Sequence, residues 1–120
     1  MRILLVEDNK LEQLYAIATI VKAGHKVTVE TDEKKILRNI LKEKWDMVLT
    51  ELKLENQFAF NLSKKLRYDF SSDALPIIGL TSNPNGDETK RCYDAGMQGF
   101  LLKPIVQEKL EEMINLYVKH

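Results

Sequence analysis

A short apolar run followed by a longer amphipathic stretch recurs five times along this chain, and this rhythm restricts its fold more than any other feature. Arg2–Val6 (RILLV) is too short for a helix and apolar throughout, the pattern of a strand covered on both faces. Lys10–Ala23 then carries Leu11, Leu14, Tyr15, Ala18, Ile20 and Val21 close to a helical repeat, and Gly24 stops the helix. His25–Glu30 alternates and is β-branched, predicting a second strand; Glu33–Lys44, capped by Asp32, predicts a second helix with Ile36, Leu37, Ile40 and Leu41 on one face. Met47–Thr50, Pro76–Thr81 and Phe100–Leu102 read as further strands. Phe58–Tyr68, Asp87–Ala95 and Val106–Val118 read as further helices, the last with Val106, Leu110, Met113, Ile114 and Tyr117 inward. Strand and helix in strict alternation predict an α/β fold with a doubly wound parallel sheet.

Composition narrows the class. The chain has 120 residues, enough to bury a core without disulfides or a structural metal, and its single cysteine, Cys92, excludes an internal disulfide. Eighteen basic and eighteen acidic residues give zero net charge, which removes the electrostatic reason to expect nucleic acid or anionic lipid as a partner. No apolar run approaches the ~20 residues of a membrane span, and no signal-peptide pattern opens the sequence. The expectation is one soluble, cytoplasmic domain over residues 1–120.

Ligands of such sheets bind beyond the carboxyl ends of the strands. Glu7, Asp8 and Asn9 follow the first strand. Thr50-Glu51 ends the third, Thr81-Ser82 the fourth, and Lys103-Pro104 follows the fifth. Right-handed crossovers bring these ends to one edge, gathering three carboxylates (Glu7, Asp8, Glu51), one ammonium and one hydroxyl. Singly each has a plainer explanation, since Asp8 or Asn9 would cap the first helix. Together they form a site whose crowded negative charge calls for a cation. Oxygen-only ligands suit Mg²⁺, Lys103 can pair with a remaining carboxylate, and Thr81 can hydrogen-bond an anionic oxygen.

The blocks LLVEDN (4–9), WDMVLTEL (45–52), PIIGLTSN (76–83) and CYDAGMQGFLLKPI (92–105) resemble the receiver domains of two-component response regulators, the last two blocks most of all those of hybrid kinases and phosphorelays. The resemblance covers nearly the whole chain. It implies the flavodoxin-like strand order 2-1-3-4-5 with five helices on both faces. It also implies Mg²⁺ held by Glu7, Asp8, Glu51 and the backbone carbonyl of Lys53, with Glu51 at the phosphoacceptor position. Thr81 and Lys103 would contact the phosphoryl group, and Thr81 and Phe100 would act as the switch pair. The implied partners are a histidine kinase, a phosphotransfer protein or an output domain, met through the face of the fourth helix, fifth strand and fifth helix, where Lys90, Tyr93, Phe100, Val106 and Lys109 lie. A flavodoxin-like cofactor binder shares the sheet order but needs a Gly/Ser/Thr-rich loop after the first strand, and Val6–Lys10 would repel a phosphate.

The acceptor position departs from the receiver pattern: it holds Glu51, where the family has aspartate. The extra methylene moves the carboxylate outward by about 1.5 Å, and misplacement near 1 Å costs on the order of 10²-fold in rate. The longer side chain also brings its oxygens toward the place of a phosphoryl group, within reach of Lys103. The following loop, Leu54–Ala59, lacks the proline and glycine usual in the family and with them a rigid turn. The expectation is a pseudo-receiver, not an enzyme, in which Glu51 is a partial phosphomimic and the domain acts by binding proteins. The alternative is a working phosphoacceptor. His25, Cys92 and Trp45 read as structural residues away from the site.

Overall fold

The computed structural model describes residues 1–118. Five strands, β1 (Arg2–Val6), β2 (Lys26–Val29), β3 (Met47–Glu51), β4 (Ile77–Thr81) and β5 (Gly99–Leu102), form one parallel sheet in the order β2-β1-β3-β4-β5. Between and after them run α1 (Lys10–Lys22), α2 (Glu33–Lys42), α3 (Phe58–Asp69), α4 (Gly86–Asp94) and α5 (Gln107–Tyr117), with a 3-10 turn over Glu55–Gln57 ahead of α3. The strand order and the helix count match the expected flavodoxin-like architecture.

Alternation along the central strands splits the core in two. Leu4, Val6, Val48 and Ile77 face α2, α3 and α4, where Ile36, Ile40, Leu62, Leu66 and Cys92 meet them. Ile3, Leu5, Met47, Leu49, Ile78 and Leu80 face α1 and α5, meeting Ala16, Ile20, Leu110 and Ile114. Covered on both sides, β1, β3 and β4 read as unbroken apolar runs, whereas edge strand β2 leaves Lys26 and Thr28 exposed.

Three helices cover one face and only two the other, and α1 shows the consequence. Its helical repeat picked out Leu11, Leu14, Tyr15, Ala18, Ile20 and Val21, yet the side turned to the sheet is Ala16 and Ile20. Leu11 is 79% exposed and Leu14 63%, with Tyr15, Ala18 and Val21 also facing solvent. The sheet takes only a narrow strip of α1, and no third helix covers its outer side. Val106 is corrected likewise: it precedes α5 as its N-cap and is exposed, while Leu110 and Ile114 enter the core.

Side-chain caps fix the helix starts, at Asn9 and Asp32 as the sequence suggested and at Asn85, which the sequence reading took as part of a turn. Asn9 accepts from the Glu12 amide at 3.0 Å, Asp32 from Lys34 at 2.9 Å, and Asn85 from Glu88 at 2.8 Å. In the loop between β3 and α3, Asn56 and Gln57 take left-handed φ values of 56° and 60°. Most side chains enter that conformation only at a cost of about 1 kcal/mol or more. Gly96 closes α4 with φ +91°, and a Cβ there would sit 2.6 Å from Cγ of Arg67. Arg67 lies across this corner and donates to the carbonyls of Gly96 (2.7 Å) and Leu75 (2.8 Å) and to Oε1 of Gln98 (2.9 Å).

Candidate functional site

Register alone brings the strand ends together: Val6 pairs with Thr50, Glu51 with Leu80 and Thr81 with Leu102, so the chain leaves β1, β3, β4 and β5 at a common edge. Glu7 is 1% exposed there and Glu51 5%. Lys103 follows β5 ahead of a cis bond to Pro104 and points back into this edge. Its ammonium donates to Glu7 Oε1 at 3.0 Å, to Glu12 Oε2 at 2.5 Å and to Glu51. An ammonium has three hydrogens, and all three are used.

The other oxygens are held by backbone. Glu51 Oε1 accepts from the Lys53 amide at 3.0 Å, and Glu7 Oε2 from the Asn9 amide at 3.2 Å. Burial pushes the Glu7 carboxyl above its ordinary value, and the Lys103 hydrogen bond offsets this only in part. Burial would lower Lys103, but its bonds to Glu12, Glu51 and Glu7 outweigh burial and hold it above its ordinary value. The more open Glu12 is lowered, chiefly by its bond to Lys103.

These shifts set a pH dependence. Because Glu7 is raised, the folded chain takes up its proton at a higher pH than the unfolded chain does. Its contribution to stability therefore falls as pH rises from the ordinary value of 4.5 through its folded value. Glu12 acts oppositely: its contribution is complete above 4.5 and is lost below that as it protonates. Urea unfolding of the natural chain beside Glu7→Gln should show the natural chain gaining on the variant as pH falls from neutral toward the ordinary carboxylate range. A constant difference across that range would contradict the burial argument.

The sequence named Glu7, Asp8 and Glu51 as the carboxylates. The structure brings Glu7 and Glu51 together, leaves Asp8 exposed beside Thr31 and Leu54, and puts Glu12 in the third place. One oxygen each from Glu7, Glu12 and Glu51 lies within 4.8 Å of the others. Counting charged Lys103, this group carries a net −2, which one divalent cation balances, and carboxylate oxygens are what Mg²⁺ selects. The donor set therefore fits a hard divalent ion, in competition with Lys103 for the same oxygens. Thr81 is fully buried at the end of β4, but its hydroxyl donates to Glu88 Oε1 at 2.7 Å and accepts from the Asn83 amide at 3.3 Å. Phe100 is half-buried on β5.

Sequence reasoning missed Glu12 and Glu88, and both carried a signal. Each is the third residue of a helix capped by asparagine, Asn9-x-x-Glu12 and Asn85-x-x-Glu88. In that pattern the acid commonly reaches back to the cap; here it reaches the site. The remaining residues sit where expected. Cys92 is buried, and burial pushes its thiol up to about 11, leaving an unreactive packing residue. His25 bonds Glu111 at 2.9 Å and Trp45 stacks beneath Arg2, both among residues outside the cluster.

The response regulator receiver domain family matches residues 3–115. The hybrid signal transduction histidine kinase K of Dictyostelium discoideum is 27% identical over 99% of this chain, and histidine protein kinase 1 of Candida albicans is 31% identical over 96%. The chain spans a tenth or less of the length of these relatives, 10% and 5%. Among solved structures, the receiver domain of sensor histidine kinase PA1611 from Pseudomonas aeruginosa, with a magnesium ion coordinated in its active-site cleft, superposes with a TM-score of 0.82 at 27% identity. That match covers 97% of this chain and 95% of the other. With the strand order, the acidic edge and Lys103 in place, and with the family matched over almost the whole length, this chain belongs to the response regulator receiver domains.

Proposed function

We propose that this receiver domain is a pseudo-receiver that acts by binding proteins, with Glu51 as a partial stand-in for a phosphorylated aspartate. The observation that carries this reading is the pairing of Glu51 with Lys103. The acceptor carboxylate already occupies the ammonium that an arriving phosphoryl group would need, and the Lys53 amide holds its other oxygen. The imitation stops at Thr81, whose proton goes to Glu88. No phosphoryl group is accepted at Glu51 at an appreciable rate, and the domain is not an enzyme in its own right.

A magnesium ion would be held by Glu7, Glu12 and Glu51, with Asp8 and the Lys53 carbonyl at its margin, and would supply positive charge against a phosphoryl group. Lys103 neutralises part of the same charge, so binding is weak; a tenfold excess over the dissociation constant would raise stability by about 1.4 kcal/mol.

The test is an intact-mass spectrum after incubation with acetyl phosphate and Mg²⁺, run beside Glu51→Asp. The expected result is no adduct on the natural chain and a phosphoryl adduct on the variant. An adduct on the natural chain would establish a working acceptor and end the pseudo-receiver reading. No adduct on either would mean the site is silenced beyond residue 51.

Two surfaces are open to protein partners. The face of α4, β5 and α5 exposes Lys90, Tyr93, Leu102, Val106 and Lys109 and suits an output domain. The exposed apolar stripe of α1 runs into a groove of about 310 Å³ floored by Ala16, Leu80 and Ile105 and bordered by Lys103 and Glu12. A histidine kinase or phosphotransfer protein seated on α1 reaches the site directly. Leu14→Asp, at an exposed position, should leave folding stability within about 0.5 kcal/mol. In the Glu51→Asp chain it should slow phosphorylation by a phosphohistidine protein and leave phosphorylation by acetyl phosphate unchanged. Equal effects on both donors would remove α1 from the reading.

A further inference from the structure

We infer that Glu88 is a positioning residue that holds the Thr81 hydroxyl away from the acceptor, so that helix α4 and an anion at residue 51 compete for one proton. The inference rests on the receiver reading, in which Thr81 serves a ligand at the acceptor.

Thr81 is fully buried, and a hydroxyl has a single hydrogen to give. That hydrogen goes to Glu88 Oε1 at 2.7 Å. A short bond to a carboxylate belongs to the stronger class of hydrogen bond. The Asn83 amide fills one of the hydroxyl's acceptor positions, which further fixes its orientation. Donation to Glu88 and donation to an anion beyond β3 therefore exclude each other. Glu88 sits in the first turn of α4, tied through its own amide to the cap Asn85 at 2.8 Å. When Thr81 turns toward the acceptor, the Glu88 carboxylate loses its buried partner, and the first turn of α4 must adjust or open to water. The bond thus works as a latch with two positions, and the first turn of α4 reports which one is taken.

The test has two arms. In the first, stabilities of the natural chain, Thr81→Val, Glu88→Ala and the double variant form a cycle. The expected coupling is about fivefold or more in the folding equilibrium constant. In the second, steady-state phosphoryl occupancy with acetyl phosphate and Mg²⁺ is measured in the Glu51→Asp chain. Glu88→Ala should raise occupancy relative to free chain by about tenfold, the weight of one hydrogen bond to a charged group. Glu88→Gln, whose amide oxygen still accepts from Thr81, should recover most of the natural value. In Thr81→Val chains the gain from Glu88→Ala should vanish. A purely structural Glu88 would lower occupancy along with stability, or act equally with and without the Thr81 hydroxyl, and either result would overturn the latch. If no Glu51→Asp chain gains mass, the acceptor reading falls and the cycle decides the latch alone, coupling below about twofold overturning it.

Discussion

Lys103→Met should destabilise the domain by about 3 kcal/mol at neutral pH, because it strands two buried carboxylates rather than because it removes one attraction. Glu12 can swing into solvent from its exposed position, but Glu7 and Glu51 cannot, at 1% and 5% exposure. Breaking a buried ion pair from one side leaves an uncompensated charge, which is why the loss exceeds the worth of a surface salt bridge several-fold. Two companion measurements separate this cause from lost packing. Added Mg²⁺ should restore more stability to Lys103→Met than it adds to the natural chain, since the ion then meets no competing ammonium. Lys103→Met combined with Glu51→Leu should recover part of the loss, because an apolar pair replaces one of the two stranded charges while Glu7 stays unpaired. Urea titrations with and without Mg²⁺ provide the numbers. A loss under about 1 kcal/mol, or an Mg²⁺ response equal in both chains, would mean that the carboxylates find water or protons without the lysine.

Arg67→Ala should have an effect of similar size, again about 3 kcal/mol, at a place remote from the acidic edge. The guanidinium joins the C-terminal part of α3 to the turn after α4 and to the segment entering β4, through Gly96, Leu75 and Gln98. Gln98 in turn accepts from the Ile77 amide at 2.8 Å and donates to the Ser72 carbonyl at 2.6 Å, so loss of Arg67 loosens the start of β4 as well. Burial disfavours the charged guanidinium, which lowers its pKa, and the chain tolerates this because the fork meets carbonyl oxygens in fixed positions. Arg67→Lys should recover less than half of the loss, since a point-like ammonium cannot span the same acceptors. Hydrogen exchange at Ile77 gives the local readout and urea unfolding the global one. Full recovery with lysine would show that charge alone, not the fork, matters there.

Much of this architecture was legible because parallel strands covered on both faces leave a blunt signature. RILLV and MVLT have no polar side to hide, and their ends mark the site edge. Glu7, Glu51, Thr81 and Lys103 followed from that placement, since a residue just past a strand has little freedom about where it points. Glu12 and Glu88 did not follow, because their role depends on which way a first-turn side chain leans, a choice between cap and site that the three-residue spacing leaves open. Asp8, next to Glu7 in sequence, is exposed and lies outside the Glu7, Glu12 and Glu51 cluster. The exposure of the α1 stripe was not legible for a different reason. Periodicity reports how wide an apolar face is, but not whether the sheet or a partner lies against it.

The two asparagine-capped helices that send their third residue into the site lie on opposite faces of the sheet, α1 with α5 and α4 with α2 and α3. A disturbance at the acidic edge that dislodges Glu12 is felt on one broad side of the molecule, and one that frees Glu88 is felt on the other. On the reading proposed above, a donor seated on α1 and a target seated on the α4 side would each lie next to one of these two helices, on opposite sides of the sheet.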